Sequence, residues 1–174
     1  FQAALACLLV GCKQAPESPR LQDEVRYVDP FIGTGFHGHT FPGATRPYAM
    51  VQQAGYHILG WDASSGYHYD DDHIYGFSTR IFLVGIGDLG DVALLPFSGG
   101  DSIKPVATFK KDTEKATPGY YAVRLDNFGI NVELDFYGRV GFHKYTYDNP
   151  KERRVLFDLG HILQPNWGHK LVGN

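Results

Sequence analysis

Between residues 121 and 136 the chain alternates with a period of two. Tyr121, Val123 and Leu125 are interleaved with Ala122, Arg124 and Asp126, and Ile130, Val132, Leu134 and Phe136 with Asn131, Glu133 and Asp135. That period puts every second side chain on one face, which a half-buried strand satisfies and a helix does not. The residues between the runs, Asp126, Asn127, Phe128 and Gly129, form a short turn. The two strands must therefore fold back on one another as a hairpin. Residues 140–147 and 155–159 predict a third and a fourth strand, and residues 48–52 and 92–97 shorter ones. No long amphipathic helix and no internal repeat is visible. Strands at short spacing with glycine and proline turns predict an all-β fold, a two-sheet β-sandwich.

Composition narrows the function. At 174 residues the chain can hold one domain with a real core. Its 11 Tyr and 12 Phe favour sheet and also suit sugar recognition, since rings stack on the apolar faces of pyranoses. The net charge of -3, with no Lys/Arg cluster beyond pairs such as Lys110-Lys111, argues against nucleic acid as a partner. The only cysteines are Cys7 and Cys12, so a disulfide framework and a thiolate zinc site are both excluded.

The first residues, FQAALACLLVGC, are apolar but too short to span a bilayer comfortably. They look like the apolar part of a secretory signal, and Leu9-Val10-Gly11-Cys12 resembles a bacterial lipobox in which the cysteine is lipidated. The predicted organisation is a truncated lipoprotein signal peptide at 1–12, a polar tether at 13–24 and a β-sandwich at 25–174. An ordinary signal peptide or a buried N-terminal segment is the other reading. Export and anchoring to a bacterial membrane, periplasm-facing or at the cell surface, follow from the lipobox.

Residues 29–47, DPFIGTGFHGHTFPGATRP, have neither helical nor strand periodicity. Glycine admits positive φ and close backbone approach, and His37 and His39, separated by one glycine, can aim polar nitrogens into a cleft. Such a segment reads as a site wall around Gly35, His37 and His39, or else as a structural loop. A second constellation is Gly60-Trp61-Asp62 with Gly66-Tyr67-His68. Trp61 beside Asp62 offers a flat apolar ring and a hydroxyl acceptor, the pair that sugar binding needs, although a core tryptophan would look the same. Asp70-Asp71-Asp72 lacks the spaced ligands of an EF-hand and reads as a solvated turn. Asp88-Leu89-Gly90-Asp91 reads as a structural turn, and His161 and His169, with Trp167 between them, carry less weight.

The stretch YVDPFIGTGFHGHTFPGATRPYAMVQ resembles the opening of glycoside hydrolase family 92, the calcium-dependent exo-acting α-mannosidases. The resemblance continues through GWDASSGYHYDDDHIYGFS, IGDLGDVALLP and GYYAVRLDNFGINVELDFYGRVGFHKYTYD, and closes with RVLFDLGHILQPNWGHK, covering residues 27–170. It implies a galactose-mutarotase-like supersandwich, incomplete at the C-terminus, that precedes an (α/α)6 barrel. It also implies inverting hydrolysis of α-mannoside glycans by two carboxylates, with calcium on the sugar, all supplied by the barrel. No catalytic residue and no metal ligand is therefore assigned in this chain. The substrate-binding set is Trp61, Asp62, His68, His37, His39 and Gly35, and the lipidation site is Cys12. One departure stands out: Thr79 to Gly85 reads TRIFLVG where the family has a His-Thr-His segment, as a short compensated frameshift would produce.

The leading expectation is thus the N-terminal pocket and scaffold domain of a mannosidase, inactive by itself. The alternative is a non-catalytic carbohydrate-binding surface lipoprotein. A purely structural lipoprotein would need neither the glycine-histidine loop nor the tryptophan loop.

Overall fold

The computed structural model describes residues 22–45, 54–56, 66–78, 92–99, 105–137 and 140–159. Cys12, the signal region, most of the tether, the expected strand at 48–52, Trp61, Asp62, residues 79–85, Asp88, Asp91, His161, Trp167 and His169 lie outside the described residues.

A four-residue helix, α1 (Gln22–Val25), stands where the tether was expected to end. Among the described residues the rest is strand and loop, apart from one short 3-10 turn, η1 (Lys111–Thr113). The strands among the described residues are β1 (Ala54–Tyr56), β2 (His73–Ile74), β3 (Gly76–Ser78), β4 (Ala93–Phe97), β5 (Ala107–Thr108), β6 (Lys115–Thr117), β7 (Tyr120–Leu125), β8 (Ile130–Tyr137), β9 (Val140–Tyr147) and β10 (Arg154–Asp158). All pairings are antiparallel among the described residues, in two four-stranded sheets ordered β1-β3-β4-β10 and β6-β7-β8-β9, joined by a two-stranded ribbon β2-β5. This is the expected all-β sandwich, with the ribbon added.

The alternation in β7 and β8 decides which face is inside. Ile130, Val132, Leu134 and Phe136 are buried while Asn131, Asp135 and Tyr137 are exposed, and in β7 Tyr121, Val123 and Leu125 point inward. They meet Phe77 of β3, Leu95 of β4, Ile74 of β2 and Ala107 of β5 in one core, against which Tyr145, Tyr147 and Leu156 pack. Each large apolar side chain taken from water there contributes roughly 1.5–3 kcal/mol, set against the chain entropy lost in ordering it. Pro96, which lacks a ladder donor, lies where β4 pairs only with β10, beyond the part of β4 that β3 reaches.

The turn at residues 126–129 fastens the layers together. The Asn127 side chain accepts from the Thr108 amide at 3.0 Å and donates to the Val106 carbonyl at 2.9 Å, which ties the ribbon to the hairpin. Ser98 beyond β4 donates to the Phe128 carbonyl at 2.6 Å, and the Phe97 and Phe128 rings meet edge to face. On the outer face, Tyr120 donates to Glu133 at 3.0 Å and Lys144 pairs with Glu133 at 2.6 Å, a cross-strand ladder open to solvent.

Candidate functional site

The glycine-histidine loop closes on itself. The Thr40 amide donates to the Gly33 carbonyl at 3.2 Å, and the Thr40 hydroxyl donates to the Ile32 carbonyl at 2.7 Å. Within that ring the Gly38 amide donates to the Gly35 carbonyl at 3.1 Å. Gly33 has φ +79, and a Cβ there would meet the Thr40 hydroxyl at 3.0 Å, so a larger residue at this crossing would carry left-handed backbone strain and press on the Thr40 side chain. Two residues with side chains also take up left-handed backbone, Phe36 at φ 52 and His39 at φ 56. Each costs about 1–2 kcal/mol relative to ordinary backbone. Strain of this kind persists only where the surroundings over-determine it, and it gathers at functional sites.

The segment from Gly66 to Asp72 lies against this loop. The Tyr69 amide donates to the Thr34 carbonyl at 2.9 Å, the Tyr69 and Phe31 rings meet edge to face at 6.2 Å, and a Cβ on Gly35 would touch the Tyr69 Cβ at 3.4 Å. His68 completes the contact, with its Nε2 3.3 Å from the Phe36 carbonyl. Its Nδ1 accepts from the Asp70 amide at 3.3 Å. In the neutral ring that leaves the proton on Nε2, facing the carbonyl it must donate to. Phe36 itself is 80% exposed, and its ring lies 4.3 Å from that of His37, which is also exposed. His39 is half-buried.

The structure therefore sets His68 against the loop that carries Gly35, His37 and His39, although they fall in two sequence segments. Trp61 and Asp62 are outside the described residues. Sequence reasoning passed over Phe36, whose lone aromatic ring inside a run of glycine and histidine was the available signal. In the acidic turn Asp70 and Asp72 are exposed and Asp71 is half-buried, and burial raises the Asp71 carboxyl above its usual range while His68 and Lys111 oppose the shift. Asp72 is hydrogen-bonded to His73. Among the described residues no three His, Cys, Asp or Glu side chains gather as metal ligands.

Beneath the site lies a buried polar cluster. The Glu114 side chain is 1% exposed. Its Oε1 accepts from the Tyr121 hydroxyl at 2.6 Å, and its Oε2 accepts from the Tyr67 hydroxyl at 3.0 Å and from Lys111 Nζ at 3.2 Å. Lys111 Nζ also donates to the Tyr67 hydroxyl at 3.2 Å and sits 4.8–4.9 Å from the ring centroids of Tyr67, Tyr69 and Phe109. Burial first, and then the Glu114 charge, push the Tyr67 and Tyr121 hydroxyls well above the ordinary tyrosine range, so both remain donors.

The described residues form an antiparallel β-sandwich that carries a strained, histidine-bearing loop at its surface. Residues 27–172 match the glycosyl hydrolase family 92 N-terminal domain, and the chain belongs to that family. A family 92 α-mannosidase from Bacteroides thetaiotaomicron, solved in complex with mannoimidazole, is 32% identical with a TM-score of 0.75 over 80% of this chain and 20% of its own. An inverting family 92 mannosidase from the same species is 26% identical with a TM-score of 0.65 over 77% of this chain and 19% of its own. An uncharacterized secreted glycosidase of Arthroderma benhamiae is 30% identical over 158 residues, 80% of this chain and 20% of that protein. The chain thus spans about a fifth of the length of these relatives.

Proposed function

We propose that this chain is the substrate-pocket and scaffold part of an inverting, calcium-dependent exo-α-mannosidase acting on the α-mannosides of glycans. The observation that carries the reading is the loop at residues 33–40 held against His68, two segments that both lie within the span matched by the family 92 domain. In this reading the loop and His68 form one wall of the pocket. The exposed Phe36 ring offers an apolar face to a pyranose, and the nitrogens of His37 and His39 exchange hydrogen bonds with its hydroxyls, while His68, both of its nitrogens engaged within the protein, holds the loop in place. Mannosidase activity among the solved relatives supports the choice of sugar.

The catalytic acid and base belong, in this proposal, to an (α/α)6 barrel outside these residues, and the chain alone does not hydrolyse mannosides. The described side chains do not fit a calcium site, since no three ligand residues converge. Calcium, whose role would be to grip sugar hydroxyls with oxygen ligands, is assigned to the barrel as well. Export with a lipid anchor on Cys12 is part of the same proposal, supported by the secreted relative for export alone. Loss of incorporated labelled fatty acid in Cys12→Ser would establish the anchor.

The test is binding of methyl α-mannoside to the chain, followed by NMR. Shifts confined to residues 33–40 and 66–72 support the reading, and no shift at saturating sugar removes it. In the complete secreted enzyme, β-mannose as the first product and loss of activity on chelation would establish inversion and calcium dependence.

A further inference from the structure

Glu114 is far from the loop in sequence and touches none of its histidines, yet it is the most deeply buried carboxylate among the described residues that the hydrogen bonds single out. A buried carboxylate is tolerated only when its oxygens are fully engaged. Here Tyr121 of β7 and Lys111 of η1 fix it to the core, and the remaining bond runs to Tyr67. Tyr67 is fully buried and directly precedes His68 and Tyr69, the residues that bind the Phe36 and Thr34 carbonyls. The three rings around Lys111 include those of both Tyr67 and Tyr69, so the same cation braces both sides of His68.

We propose that Glu114 is a positioning residue for the sugar site: acting through Tyr67, it fixes where His68 and Tyr69 meet the strained loop. The core supplies a rigid anchor at Tyr121, Glu114 transmits it across 47 residues of sequence to Tyr67, and the loop is held from the outside by His68 and Tyr69. The connection to mannoside affinity rests on the function proposed above, whereas the positioning of His68 does not.

The experiment uses the full chain, isotopically labelled, as wild type, Tyr67→Phe, Glu114→Gln and the double variant. Tyr67→Phe removes one hydroxyl while leaving Glu114 its bonds to Tyr121 and Lys111, so it folds even where a Glu114 variant does not and then decides the matter alone. The expected result in Tyr67→Phe is faster exchange of the Tyr69 amide, by at least roughly tenfold to a hundredfold, since the hydroxyl's bonds to both Glu114 and Lys111 are lost and a single hydrogen bond to a charged group already has that effect. The His68 ring nitrogen signals change with it, while the Val123 and Val132 amides in the core keep their protection. Glu114→Gln keeps one acceptor oxygen in place of two; with that oxygen turned to Tyr67 the change is smaller, and the double variant is no worse than Tyr67→Phe. Methyl α-mannoside affinity falls in the same order. Unchanged Tyr69 exchange and His68 signals would overturn the proposal. So would equal acceleration at Tyr69, Val123 and Val132, which would make the cluster a general prop of the fold. If the wild type binds no mannoside, the sugar reading falls, while Tyr69 and His68 still decide the role of Glu114.

Discussion

Gly38 lies directly over Gly33: a Cβ on Gly38 would stand 2.0 Å from the Gly33 carbonyl oxygen and 2.7 Å from its Cα. No side chain fits, and the obstacle is backbone that cannot swing aside. The same carbonyl accepts the Thr40 amide that closes the loop. We expect Gly38→Ala to break that closure and lose about 1–3 kcal/mol, as for other changes that force packed backbone apart. The loss should be local. Exchange of the Thr40 amide should accelerate while β8 amides stay protected, and, on the proposed function, mannoside-dependent shifts in residues 33–40 should vanish.

How much of this was legible in the sequence depended on how local the cause was. The β7-β8 hairpin and β9 were readable because alternation and a short turn are properties of neighbouring residues. Strands β2, β3 and β5, two or three residues each, are too short to show a period and exist only because distant segments pair with them. Lys115–Thr117 becomes strand β6 through its register with Tyr120 to Ala122, although its side chains are largely exposed and carry no apolar stripe. The loop announced itself through glycine and histidine, but its meeting with His68 spans 32 residues and its anchor at Glu114 a further 46. Nothing in a one-dimensional pattern fixes such distances. Nor did the pattern show that Phe36 is held at positive φ with its ring in water.

The hairpin turn offers a second test. Gly129 has φ +62, its carbonyl accepts the Asp148 amide at 2.9 Å, and a Cβ there would stand 3.0 Å from the Asp148 carboxylate. The carboxylate can rotate away, so the main cost of Gly129→Ala is left-handed backbone. That cost is about 1–2 kcal/mol. Leu134→Ala, by contrast, opens a hole in the centre of the core and should cost about 2–5 kcal/mol. Urea unfolding of both variants checks the order: Leu134→Ala must be the more destabilised.

Phe36 separates stability from binding. The residue is 80% exposed, so its ring gains little from burial, while its backbone bears left-handed strain. Phe36→Gly removes the strain but makes the unfolded chain more flexible, and the two effects nearly cancel, leaving stability within about 1 kcal/mol of wild type. If the ring is the apolar face offered to the sugar, mannoside affinity falls several-fold in the same variant. Calorimetric unfolding together with a binding isotherm checks both halves.

His143 adds a pH dependence to the fold. It lies on the inward face of β9 opposite Leu134, with Nδ1 2.7 Å from the Tyr145 hydroxyl and Nε2 buried without a hydrogen-bond partner. Burial lowers its pKa to about 4 from an ordinary 6.5. Above pH 6.5 the ring is neutral whether the chain is folded or not, and it contributes no pH dependence. Between 6.5 and 4 the unfolded chain takes up a proton that the folded one refuses, so stability drops as the pH falls, and below 4 the loss from this group levels off. At 1.4 kcal/mol per unit the total is up to about 3 kcal/mol. His143→Gln keeps a polar side chain of similar reach but cannot be protonated. Urea unfolding at intervals from pH 7 to 4 should show a shallower decline for the variant than for the wild type. Parallel declines would mean that other groups carry the acid sensitivity.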